Sequence, residues 1–164
     1  MIYKPRSVVA LTLLASCLQI SALAQQRVPI TVTISTPTPV AKSGTEIRID
    51  VSVMNTSDQP VRILKALGFD GQADLVNDPH VFDAKGEPVA WIAGRHSGLS
   101  RKTITVEPGK SEDDFMILSK LYDMTKPGAY KVVVQHELEH FGVHHPDERF
   151  QFVRSNELQI TVTE

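Results

Sequence analysis

The chain has 164 residues, with 17 Lys and Arg, 19 Asp and Glu, and a formal net charge of −2. A near-neutral balance without a basic cluster excludes a binder that works by neutralising nucleic-acid phosphates. No stretch reaches the roughly 20 apolar residues that a spanning helix needs, so no membrane span is expected.

The N-terminus has three parts. Met1 to Arg6 carries Lys4 and Arg6, Ser7 to Leu18 is mostly apolar, and Ala22-Leu23-Ala24 ends in small residues before Gln25. A basic start, a short apolar run and an A-x-A site make a secretory signal. The expected organisation is a cleaved signal peptide over 1–24 and one mature domain over 25–164, periplasmic or secreted. Cleavage leaves 140 residues with a net charge of −4, enough chain to bury a core. Cys17 is the only cysteine and lies inside the signal, so the mature domain holds no disulfide. A second reading takes Leu14-Ala15-Ser16-Cys17, which looks like a bacterial lipobox, as an acylation site and Cys17 as a lipid anchor. Ser16 is a less usual residue before such a cysteine, and Ala22-Leu23-Ala24-Gln25 is the better cleavage site.

Along the mature chain, Ile30 to Ile34 alternates apolar and polar, the period of a half-buried strand. Ser35 to Gly44, with Pro37 and Pro39, reads as an edge kink and turn. Glu46 to Met54 is the cleanest strand, with Ile47, Ile49, Val51 and Val53 on one face and Arg48, Asp50 and Ser52 on the other. Asn55 to Pro60 is a polar turn, followed by a strand from Val61 to Leu64. Leu64 to Asn77 reads as loop. Val81 to Val89 reads as a hairpin in which Gly86 supplies a positive φ. The apolar Trp91 and Ile92 are expected in the core, and Ala93 to Arg101 is loop. Lys102 to Val106 alternates again, Glu107 to Lys110 turns, and Phe115 to Leu118 is another strand. One short helical turn is expected within Ser119 to Met124. After the Lys126-Pro127-Gly128 turn comes a strong strand from Tyr130 to about Glu139, then a polar loop from His140 to Arg149. Strands at Phe150 to Arg154 and Glu157 to Val162 close the chain. About eight short strands, Gly/Pro turns and no amphipathic helix predict an all-β sandwich or barrel.

Pro127-Gly128-Ala129-Tyr130-Lys131-Val132-Val133-Val134 resembles the turn and penultimate strand of immunoglobulin-like and fibronectin type III-like domains. The resemblance implies a single antiparallel β-sandwich in which the Tyr130 hydroxyl bonds back to main chain a few residues upstream. Asn55-Thr56-Ser57, Val81 to Val89, Val106 to Gly109 and Pro127 to Tyr130, in that order, are also similar to small bacterial β-sandwich families, among them the intracellular proteinase inhibitor family. These landmarks are turn and core signals, so they speak for fold and only weakly for function. The chain departs from that inhibitor family in carrying an export signal, and no segment is identified as an inhibitory loop, so inhibition stays an option only.

His136-Glu137-Leu138-Glu139-His140 matches H-E-x-x-H, in which two histidines bind zinc and the glutamate is the general base. The chemistry needs a helix, where residues four apart have Cβ atoms roughly 5–6 Å apart and reach one ion. A strand stretches the same spacing to about 13 Å. The β-branched run from Tyr130 to Val134 and the absence of a helix start before His136 predict a strand running into a loop. The longer metzincin pattern also fails, because it needs glycine at Val143 and histidine at Pro146.

The remaining metal candidates are His140, His144 and His145, with Asp147 in the same loop, since imidazole suits Zn, Cu or Ni. Asp70 and Asp74 have no identified partner, Asp83, Asp113, Asp114 and Asp123 read as turn or surface residues, and no serine sits in a nucleophile elbow. Asn55-Thr56-Ser57 matches a glycosylation sequon but reads better as a turn. The sequence therefore predicts an exported, non-enzymatic binding or accessory module with no catalytic residues and no cofactor. Its expected partner is a protein or glycan outside the cytoplasm, met by the loops His140 to Arg149, Gly68 to Asp78 or Ala93 to Arg101. The alternatives are a zinc metallopeptidase at His136, Glu137 and His140, a metal-binding module, and a proteinase-inhibitor-like module.

Overall fold

A computed structural model of the chain describes residues 29–66, 76–93, 101–138 and 152–164. The expected signal peptide, Cys17, and the candidates His140, His144, His145 and Asp147 lie outside the described residues, as do Asp70 and Asp74. No helix among the described residues is long and apolar enough to cross a membrane.

The architecture is all-β. In chain order the strands are β1 (Ile30–Ser35), β2 (Val40–Lys42), β3 (Arg48–Asn55), β4 (Val61–Ala66), β5 (Asn77–Phe82), β6 (Arg101–Val106), β7 (Ser111–Ile117), β8 (Gly128–Glu137), β9 (Phe152–Arg154) and β10 (Leu158–Thr163). One sheet runs β1-β3-β7, a second runs β2-β10-β8-β5 with β9 also on β8, and β4 and β6 form a separate two-stranded ribbon. Every strand pair is antiparallel except β2 with β10, which is parallel.

Alternation in sequence becomes alternation in burial. Ile30, Val32 and Ile34 of β1, Ile49, Val51 and Val53 of β3, and Ile160 and Val162 of β10 are all buried, while their neighbours are more exposed. These side chains meet Tyr130, Val132 and Val134 of β8 in one hydrophobic cluster. Each fully buried Val or Ile contributes about 1.5–3 kcal/mol. β8 departs from simple alternation because Val133 is buried too. Its consecutive valines suit a strand covered on both faces.

Tyr130 is buried, and its hydroxyl donates to the Lys126 carbonyl at 2.6 Å. That is the bond the resemblance implied. Tyr130→Phe keeps the ring and leaves the carbonyl to water, so the expected loss is about 1 kcal/mol. Urea denaturation checks this, with the midpoint lowered and the slope unchanged.

Several expectations need correction. Ten strands form among the described residues where about eight were expected, and β2 is an addition inside the Pro-rich stretch, held by parallel pairing to β10 and a Thr161 N–H bond to Pro39 O of 2.8 Å. The helical turn is a 3-10 turn at Leu118–Lys120, slightly earlier than expected. The turn around Gly86, at φ 82°, is as expected, with Asp83 accepting from Lys85 and Glu87 main chain. The strand before it, however, begins at Asn77 and pairs along β8.

Trp91 and Ile92 do not enter the core: they are 43% and 58% exposed. Their segment is not a continuing core strand. It crosses beside the 3-10 turn, with Trp91 bridged to Tyr122, Ile92 N–H donating to Leu121 O and Asp123 N–H donating to Ala90 O.

Candidate functional site

The first two residues of the H-E-x-x-H motif close β8, whose extended backbone puts consecutive side chains on opposite faces. His136 shares the inward face of Tyr130, Val132 and Val134, and only 1% of its surface is exposed. Glu137 is also buried, on the other face, and its N–H donates to Val76 O at 2.8 Å. A zinc-bound histidine and its general base must address the same ion, and this strand separates them. The second histidine of the motif, His140, lies outside the described residues with His144 and His145. Among the described residues no group of three His, Cys, Asp or Glu is arranged to hold a metal.

His136 has a different environment. It sits directly across from Asn77 of β5, and its Nδ1 lies 2.8 Å from Asn77 Oδ1. An amide oxygen only accepts, so Nδ1 carries the proton and Nε2 is a bare acceptor. Nε2 is buried without a hydrogen-bond partner among the described residues. The ring lines a cavity of about 10 Å³, room for one water at most, together with Lys65 of β4 and Glu112 and Asp114 of β7. Burial pushes the imidazole down from 6.5 to about 4, so it is neutral at pH 7. Lys65 and Glu112 form an ion pair.

A second feature is a ledge on the surface. Trp91 meets Tyr122 edge-on, with ring centroids 5.1 Å apart and planes at 85°. The Tyr122 hydroxyl donates to Pro79 O, and burial, aided by the charge of Asp78, pushes the phenol up to about 12. Beside the ledge lies an open groove of about 350 Å³ lined by Ile92, Tyr122 and Met124 on the apolar side and by Thr45, Glu46 and Lys120 on the polar side. Glu46 and Lys120 approach to 3.6 Å, both well exposed.

A third depression, of about 440 Å³, lies on the outer face of β1-β3-β7. Its polar groups are engaged with one another. Arg48 stacks 4.2 Å above the Phe115 ring and bonds Asp50 at 2.7 Å, and Ser52 donates to Asp113 at 2.6 Å.

Sequence reasoning found the histidine motif but not its burial. The signal was present, because His136 continues the register of Tyr130, Val132 and Val134. The Trp91 ledge was missed because its apolar residues read as core. Of the three expected recognition loops, His140 to Arg149 lies outside the described residues, and the other two are described only at their ends.

No protein-family model matches the chain. No curated protein matches it either. Among solved structures it is similar to a β-glucosidase from Listeria innocua in complex with isofagomine, at 14% identity and a TM-score of 0.43, over 81% of this chain and 16% of that one. The chain thus spans about one-sixth of the glucosidase's length. It is also similar to a crystallised target of the Northeast Structural Genomics Consortium, at 11% identity and a TM-score of 0.43, over 82% of this chain and 87% of that one.

Proposed function

We propose that the chain is an exported, non-enzymatic binding or accessory module built on an immunoglobulin-like β-sandwich. It works in the periplasm or outside the cell on a protein or glycan partner. The observation that carries this reading is the ledge at Trp91 and Ile92. The only tryptophan of the chain is held by main-chain bonds on both sides of it and by Tyr122, yet 43% of it faces solvent. A rigid, exposed aromatic binds at low entropic cost, and tryptophan and tyrosine are enriched among residues that dominate binding energy. The Tyr130–Lys126 bond supports the sandwich, and the tripartite N-terminus from Met1 to Ala24 supports export. The zinc-peptidase alternative needs a helix at His136 and Glu137, and the strand there favours the binder.

Because Trp91 is the only tryptophan, its fluorescence reports directly on the ledge. Titration with a panel of soluble glycans is expected to shift the emission saturably. For a protein partner, a photocrosslinker at position 92, expressed in cells, is expected to trap one discrete adduct. Trp91→Ala should weaken either interaction about 30-fold, corresponding to about 2 kcal/mol. Stoichiometric zinc in untagged protein, with peptide hydrolysis abolished by Glu137→Ala, would overturn the reading.

A further inference from the structure

The cavity beside His136 lies where β8 meets four other strands. β3 supplies Val51, β4 supplies Lys65, β7 supplies Glu112 and Asp114, and β5 supplies the uncharged Asn77. Glu137, the next residue on β8, faces away from it. A neutral imidazole thus lines a space shared with one ammonium and two carboxylates. Lys65 and Glu112 are already paired, with about a third of each side chain exposed. Asp114 accepts the Phe115 N–H at 2.8 Å through Oδ1.

The β4–β6 ribbon forms a two-stranded sheet of its own, with Ile63 and Val106 buried in the core. Its ladder joins no other sheet among the described residues. One end is fastened by Asn55 Nδ2, which donates to Val106 O at 2.8 Å. Toward the other end the Lys65–Glu112 pair ties β4 to β7, beside the His136 cavity, with Ile63 buried between.

We propose that this cavity is an acid-sensitive latch. Protonation of His136 at Nε2 creates a second cation that competes with Lys65 for Glu112 and Asp114, and the β4–β6 ribbon releases from β7 while β3 and β8 stay folded. The latch is a property of the fold beyond partner binding at the Trp91 ledge. The cavity is too small to hydrate an imidazolium with more than one water, so the new charge must find an anion or open a path to solvent. Both anions face it from β7, and drawing Glu112 away undoes the pair that holds β4.

The sign follows from burial. The closed state disfavours the proton, with His136 titrating near 4, whereas the opened state exposes it to water with an ordinary value of 6.5. Closure is therefore fully stable above pH 6.5 and weakens as pH falls toward 4. The opening equilibrium should rise about tenfold per pH unit across that window and level off below it.

Hydrogen exchange read by mass spectrometry on the full chain at pH 7, 6, 5 and 4.5, corrected for intrinsic rates, tests the latch. In the wild type, β4 and β6 are expected to exchange about tenfold faster for each pH unit below 6.5 while β3 and β8 hold their protection. His136→Gln, which cannot titrate, should flatten that slope. Lys65→Met, which removes the competing cation, should raise β4 and β6 exchange at pH 7 and make the slope shallower. Loss of protection in β3 and β8 in step with β4 and β6 would overturn the proposal. A wild-type slope in either variant would overturn it too.

Discussion

Asn55→Ala is expected to destabilise the folded chain by about 3 kcal/mol, more than its place in a polar turn suggests. Asn55 is completely buried. Both protons of its amide are used, one donated to Gln59 O and one to Val106 O, each at 2.8 Å. Its Oδ1 accepts from Ser57 N–H at 2.9 Å and from Ser57 Oγ at 2.8 Å. One side chain therefore closes the turn after β3 and fastens that turn to the end of β6. Alanine strands the carbonyls and the N–H at once. Ser57 and Gln59 lie near the surface, where water replaces part of the loss. The Val106 carbonyl is buried and bears the full penalty of about 1–3 kcal/mol. With a urea slope of about 1–3 kcal/mol per molar, the midpoint should fall by roughly 1–3 M. A shift smaller than about 1 kcal/mol would show that solvent reaches these carbonyls in the folded state. Full use of both amide protons also accounts for the Asn-x-Ser triplet as a turn device, since glycosylation needs that nitrogen exposed.

What was legible in the sequence follows from one physical fact. A sheet covered on one side writes its burial into every second residue, so Ile49, Val51 and Val53 announced β3, whereas the β-branched run Val132-Val133-Val134 announced β8, which is buried on both faces. Turn chemistry was equally plain, because positive φ at Gly86 is a backbone requirement read from local residues alone, and the Glu107 to Lys110 turn was read in the same way. β2 was not legible. It is three residues long with a single buried side chain, Ala41, and its existence depends on β10, which lies far along the chain. Trp91 misled for the opposite reason. Its hydrophobicity argued for burial, but its position is set by the main-chain bonds of its neighbours, Ile92 to Leu121 and Ala90 to Asp123, and those bonds hold it at the surface. At the candidate site, the chemistry of His136 was visible and its protonation state was not. The residues that share its cavity come from β3, β4, β5 and β7, and only the fold brings them together.

Asn156→Ala is expected to cost about 2 kcal/mol and also to promote self-association. Asn156 sits between β9 and β10, where the chain leaves and rejoins the sheet. On one side Ser155 keeps the ladder to β8, with its N–H donating to Val134 O at 2.9 Å and its hydroxyl accepting from Val134 N–H at 3.0 Å. On the other side the Asn156 amide imitates a peptide group for β1. Ile34 N–H donates to its Oδ1 at 2.8 Å, and its Nδ2 donates to Ile34 O at 3.1 Å. The two sheets are thus joined at this corner by a side chain where a strand pair would otherwise stand. Two partly buried bonds at about 1 kcal/mol each give the expected loss. The second consequence comes from what alanine uncovers. Ile34 would present an unpaired N–H and C=O on an edge strand, the arrangement that recruits another strand. Chemical denaturation should show the loss of stability, and sedimentation at increasing concentration should show association in the variant but not in the wild type. A variant that stays as stable as the wild type would mean that packing of Ile30, Val32 and Ile34 alone holds β1 in place. Equal stability loss without association would mean that the edge is guarded by something other than this amide.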